Sequence, residues 1–124
     1  MKTHKELSVF KDSMELATAI YQLTNQFPKS EIYGLTSQMR RSAFSIPLNI
    51  AEGSGRIYTK ETIHFLNFAL GSATELDTQL DLSFKLNFIR NDQHEHYICE
   101  LTKVTKMLQG YLKYHKGKLH DRTI

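Results

Sequence analysis

Apolar residues recur in steps of three and four along almost the whole chain. Nowhere does the sequence alternate apolar and polar residues as a half-buried strand would. That periodicity restricts the fold to helices. A first segment carries Leu7, Phe10, Met14, Ala17 and Tyr21, with an adjoining line of Leu16, Ile20, Leu23 and Phe27, so its apolar face is wide. Pro28 stops it near Phe27, because the residue before a proline is pushed out of the helical region. A second segment, about Glu31 to Glu52, aligns Ile32, Leu35, Met39, Ala43, Ile46 and Ile50, and Gly53 and Gly55 offer the left-handed conformation that ends helices. In the third, Thr59 is placed to cap, Glu61 lies in the first turn, and Tyr58 and Ile63 have the spacing of a hydrophobic staple. Its stripe runs through Leu66, Leu70, Ala73, Leu80 and Phe84 to an end near Asn87. Asp92 and Glu95 have capping-box spacing ahead of a fourth stripe of Tyr97, Leu101, Val104, Leu108 and Tyr111.

Four amphipathic helices with short connections predict an all-α, antiparallel up-down-up-down four-helix bundle. At 124 residues, 40% hydrophobic and 23% charged, the chain is globular and has material for one core. The expected organisation is a single domain over residues 1–116 followed by a basic C-terminal tail, 117–124. Cys99 is the only cysteine and has no internal disulfide partner, which fits a reducing compartment. The N-terminal residues do not read as a signal peptide, and no stretch approaches the ~18 apolar residues of a membrane span. The expected location is cytoplasmic, with no membrane partner.

Pro47 interrupts the second segment, where it removes a backbone donor and leaves the Ala43 carbonyl without its usual partner. In a helix interior this costs about 3 kcal/mol before compensation. The apolar line continues in phase from Ala43 through Ile46 to Ile50, which predicts one helix kinked at Pro47 and not two helices. Arg41, Ser45, Asn49, Glu52 and Arg56 form a polar line roughly opposite, with Phe44, Leu48 and Ala51 between the two. A surface helix normally has one apolar face, so this surplus points to a subunit contact.

The net charge of +3 is unevenly spread. From Lys103 onward there are six basic residues (Lys103, Lys106, Lys113, Lys116, Lys118, Arg122) against Asp121 alone, whereas the first 102 residues carry ten basic and twelve acidic residues. The C-terminal surplus either faces an anionic partner or is a solvated helix end whose lysines complement the helix dipole.

Catalytic signals are sparse. The chain has no Gly-rich phosphate loop, no GxSxG and no supported carboxylate pair. His96 and Cys99 share a helical face but His94 does not, and two ligands do not close a zinc site. Asp77, Asp81 and Lys85, four apart in turn, suggest a surface ion pair. No enzyme activity, metal or cofactor is expected.

One set of residues goes further. Phe27-Pro28, Glu31, Tyr33-Gly34-Leu35, Gln38, Arg40-Arg41, Ser45-Ile46-Pro47, Asn49-Ile50-Ala51-Glu52-Gly53 and Arg56 are followed by Phe65-Leu66, Ala69, Gly71-Ser72 and Glu75-Leu76. In order and spacing this resembles the signature of the 23S rRNA intervening-sequence protein family, the four-helix-bundle proteins, over about Leu7 to Leu112. The last helix matches only in its apolar period, and the tail after Lys116 is outside the pattern. The resemblance implies a homopentameric ring. It also implies kinship with the accessory variability determinant of diversity-generating retroelements, a basic pentamer that associates with a reverse transcriptase and nucleic acid. The implied partners are therefore other copies of the chain, RNA, or a reverse-transcriptase-like protein.

Two readings of the signature stand side by side. Arg40, Arg41, Asn49, Glu52, Arg56 and Glu75 form one buried or interfacial network of charge-assisted hydrogen bonds, or the arginines point outward onto phosphates. The acids in the same constellation weigh against a bare phosphate site. For function, the expectation is a non-enzymatic oligomeric accessory protein that binds RNA through Lys106, Lys113, Lys116, Lys118 and Arg122. The alternative is a homo-oligomeric protein-interaction scaffold without nucleic-acid contact.

Overall fold

The computed structural model describes residues 3–122, and side chains from 3 to 119. A 3-10 turn at His4–Glu6 leads into α1 (Ser8–Thr24), a second at Lys29–Glu31 into α2 (Leu35–Ser54), and α3 (Thr59–Lys85) and α4 (Asn91–Arg122) follow. No strand occurs among the described residues. Each helix packs on its neighbours in the chain and α4 closes back on α1, most extensively at α2–α3 and least at α1–α4. The result is a four-helix bundle. Connections of a few residues, such as 55–58 between α2 and α3, force each helix to reverse on the one before.

The apolar stripes form the core. Ile20, Met39, Ile46, Ile50, Leu66, Leu76, Leu80 and Leu108 are fully buried. Leu16, Ile20 and Leu23 of α1, and Phe27 just beyond it, face inward, whereas Met14 and Tyr21 of the adjoining line are 47% and 44% exposed. α2 runs unbroken through Pro47, as the in-phase flanks require.

Helix ends depart from the sequence reading. α1 stops at Thr24, ahead of Phe27, and α2 begins at Leu35 after the 3-10 turn. Gly53 lies inside α2 and Gly55 has φ −87°, so neither adopts the left-handed conformation expected of it. Gly53 serves a different need: a Cβ there would sit 3.1 Å from the Phe65 Cβ and 3.2 Å from the Thr62 carbonyl, because the start of α3 presses on the end of α2. Thr62 Oγ1 donates to the Gly53 carbonyl at 2.8 Å across that contact. The left-handed residue is Asn87, φ 62°. There the Phe88 amide donates to the Ser83 carbonyl and the Asn87 amide to that of Phe84, a Schellman ending with asparagine in place of glycine. Thr59 opens α3 but does not cap it; Tyr58 holds the cap position and is largely exposed. At α4 the Gln93 carboxamide, and not Glu95, reaches back to the Arg90 amide at 2.9 Å. α4 continues through residue 117 to Arg122, so the basic segment is helical over 117–122.

Candidate interaction faces

The signature residues, Arg41 apart, fall on separate contacts within the protomer. Arg40 turns from α2 towards α1: its Nε donates to Thr24 Oγ1 at 2.8 Å, its Nη2 to Asn25 Oδ1 at 3.0 Å, and its guanidinium lies 3.9 Å over the Tyr21 ring. Arg56 pairs with Glu52 one turn back at 2.8 Å, on the surface, and lies over the Phe65 ring. Glu75 is exposed and accepts one bond from Ser42 at 3.3 Å. Arg41 is exposed, with no hydrogen-bond or ion-pair partner among the described residues. Asn49 donates to the Ser45 carbonyl and hydroxyl, and Ser72 of α3 donates to that same hydroxyl at 2.7 Å. The chain thus has a polar serine seam between α2 and α3, with Glu75 and Asn49 at its edges. These six residues form no single buried network within the protomer, because Arg40 reaches α1 whereas Arg56, beyond the end of α2, pairs with Glu52 and lies over Phe65 of α3.

The surplus apolar surface of α2 is present. Leu48 is 64% exposed and Phe44 39%. Both line a groove of about 460 Å³ against α1, with Phe10, Met14, Ala17, Pro47 and Ala51. Both also line an adjoining cleft of about 520 Å³ that reaches Ile32, Arg40, Arg41 and Asn49. The two share side chains, so they form one continuous apolar surface with arginine at its border. Phe44 also stacks on Tyr21 of α1, with ring centres 6.0 Å apart.

α4 presents a different surface. Lys103, Lys106, Lys113, Lys116 and Lys118 are all exposed. Lys106 and Lys113, seven residues apart, share the outer face, and Lys103 adjoins them while bonded to Glu100 at 3.3 Å. Lys118 departs from that face: it lies over Tyr114, 4.5 Å from the ring centre, and borders the α2–α3 turn. The Arg122 side chain lies outside the described residues.

His94 Nε2 meets Asp81 Oδ1 at 2.8 Å and stacks on Phe84, tying α4 to α3. Asp81 thus takes a partner across the bundle, not Lys85 on its own helix. Among the described residues no group of three or more His, Cys, Asp or Glu side chains is placed to hold a metal ion, and no helix is long and apolar enough to cross a membrane.

A model of the 23S rRNA-intervening sequence protein family matches residues 5–110. No curated protein matches. The chain is similar to a crystallised protein of unknown function from the S23 ribosomal protein family of Bacteroides thetaiotaomicron. The two are 28% identical with a TM-score of 0.79, and the match covers 85% of this chain and 95% of that one. Every signature residue and Lys106 lie within the family match, whereas Lys113, Lys116 and Lys118 lie beyond its end.

Proposed function

The chain belongs to the 23S rRNA-intervening sequence protein family, and from that membership we propose that it is a non-enzymatic, self-associating accessory protein that holds RNA on the basic outer face of α4. The supporting observation is the run of exposed lysines from Lys103 to Lys116, in which Lys103 alone has a carboxylate partner among the described residues. Lysines on phosphates position a nucleic acid without reading its bases, so binding is weakly sequence-specific and falls steeply with salt, because the counterions it releases gain less entropy in a saltier solution. Self-association places copies of that face side by side and multiplies the charge. The groove between α1 and α2 is the surface proposed to be covered in the assembly, and a homopentamer is the expected state.

The test is fluorescence anisotropy against a structured RNA and a single strand at several salt concentrations. Binding at low salt that weakens steeply with added salt supports the proposal. No binding at low salt hands the function to a second reading, a homo-oligomeric protein scaffold. That reading is favoured by the exposure of Phe44 and Leu48, which calls for protein and not for nucleic acid.

A further inference from the structure

At the end of the bundle where α2 passes into α3, the C-terminal part of α4 crosses the turn. The two leave a cleft of about 520 Å³ between them. Arg56 enters it from the turn, Lys118 and His115 from α4, and Thr59 from the first position of α3, and no acidic residue lines it among the described residues. The four come from three separate parts of the chain. We propose that this cleft binds a phosphate group, with Arg56 and Lys118 as its cations and Thr59 and His115 as hydrogen-bonding groups. As a site for the phosphates of RNA, it rests on the reading of the protein as RNA-binding; as a site for free phosphate, it does not.

The chemistry is consistent from every side. Arg56 and Lys118 converge on one concave surface, and Glu52, which pairs with Arg56 from outside the lining, offsets part of its charge and leaves Lys118 to supply the net positive potential. Arg56 is held ready by Glu52 and by the Phe65 ring beneath it, so little freedom is lost when its remaining donors meet an oxyanion. The Thr59 and Lys60 amides at the start of α3 have no backbone acceptor, whereas that of Glu61 donates to the Tyr58 carbonyl, and the positive end of the helix dipole adds to the cations. The His115 Nε2 is closed off from solvent and has no hydrogen-bond partner among the described residues. Around the mouth, Ile57 and Tyr58 are 89% and 67% exposed and Tyr114 is 57% exposed. Tyrosines beside a phosphate site suit a single strand, whose bases stack on aromatic rings.

His115 also offers a reporter. Burial and the neighbouring Lys118 hold its pKa below the ordinary imidazole range. The other groups around it are Arg56 and the hydroxyls of Ser54, Thr59 and Thr62 across the cleft, and the Tyr111 and Tyr114 rings on its own helix. A bound phosphate favours the imidazolium, so it raises that pKa.

The experiment has two arms on the full chain. In the first, inorganic phosphate is titrated while the His115 imidazole is followed by NMR across pH. In the second, a labelled single-stranded oligouridylate is bound by the unmodified protein and by Arg56→Gln, Lys118→Gln and, at the far end of α3, Lys85→Gln. The expected results are an upward shift of the His115 pKa with phosphate and oligouridylate binding about tenfold weaker for each cleft variant. Each cleft variant also lowers the salt slope by about 0.7, while Lys85→Gln binds as the unmodified protein does. Arg56→Lys keeps the charge and restores part of the affinity, and helical content by circular dichroism confirms that all variants fold. If phosphate shifts His115 but oligouridylate does not bind, or binds all variants equally, the cleft takes free phosphate and RNA, if bound, sits elsewhere. If phosphate does not shift His115 and the cleft variants bind oligouridylate like the unmodified protein, the site does not exist.

Discussion

The outer faces of α2 and α4 are both surplus to the bundle, yet they are built from opposite materials. On α2 the exposed residues between the core stripe and the polar line are Phe44 and Leu48, with Arg40 and Arg41 at the border. On α4 they are lysines spaced along the helix, with Tyr114 the one large apolar side chain among the exposed hydrophobics of that helix. Water solvates lysine well and gains nothing from Leu48. The α2 face is therefore stabilised by being covered, whereas the α4 face is stable bare and acquires a role only when an anion arrives. The family match separates them in the same way: it includes all of α2 and stops within α4 at residue 110.

Four measurements break or sharpen this contrast. The largest effect is expected on α2. Leu48→Asp puts a carboxylate in the middle of the apolar surface, and the proposed assembly should dissociate to the 14.4 kDa monomer while the helix signal is kept. Light scattering coupled to size exclusion reads this, and an unchanged mass would remove the α1–α2 groove from any interface. Next, on α4, replacing Lys106, Lys113 and Lys116 by glutamine should leave the assembly mass unchanged. It should lower the log–log salt slope of single-strand RNA binding by about 2, because three phosphates are no longer neutralised. An unaltered slope moves the RNA off this face.

The third measurement concerns Arg40, which belongs to the protomer and not to either outer partner. Arg40→Ala removes its bonds to Thr24 and Asn25 and its stacking on Tyr21, and should cost about 1–2 kcal/mol in a thermal or denaturant melt. The smallest effect is that of Glu75→Ala. Glu75 is exposed and accepts a single bond from Ser42, so the loss should stay within about 0.5 kcal/mol. A loss of several kcal/mol would mean that assembly buries Glu75 against an arginine of another copy, the interfacial form of the network.

The spacing of apolar residues was enough to read four helices, the buried lines Leu16–Ile20–Leu23–Phe27 and Met39–Ala43–Ile46–Ile50, the passage of α2 through Pro47 and the surplus at Phe44 and Leu48. Helix ends were less legible. Gly53 carries the composition of a stop signal, but its lack of a Cβ is used for the close approach of α3, while Asn87 takes the left-handed turn. Nothing in the local sequence distinguishes those two uses. His115 and Thr59 escaped notice as site residues because each is a lone polar residue among helix-forming neighbours. Only the cleft opposite gives them a role.

What the sequence by itself determined is which residues lie on which side of each helix, since that follows from the fixed turn of about 100° per residue and needs no knowledge of neighbours. What the tertiary structure decided is which long polar side chains find a partner on another helix, as Arg40 and His94 do, and which stay with a neighbour on their own, as Lys103 does. Arg40 and Arg56 belong to the same stretch of chain, yet one reaches back to α1 and the other forward to a cleft shared with Lys118. A guanidinium on a flexible stem reaches several neighbours, so its contact depends on how the helices are packed around it. That packing is set by the whole core and by no single segment.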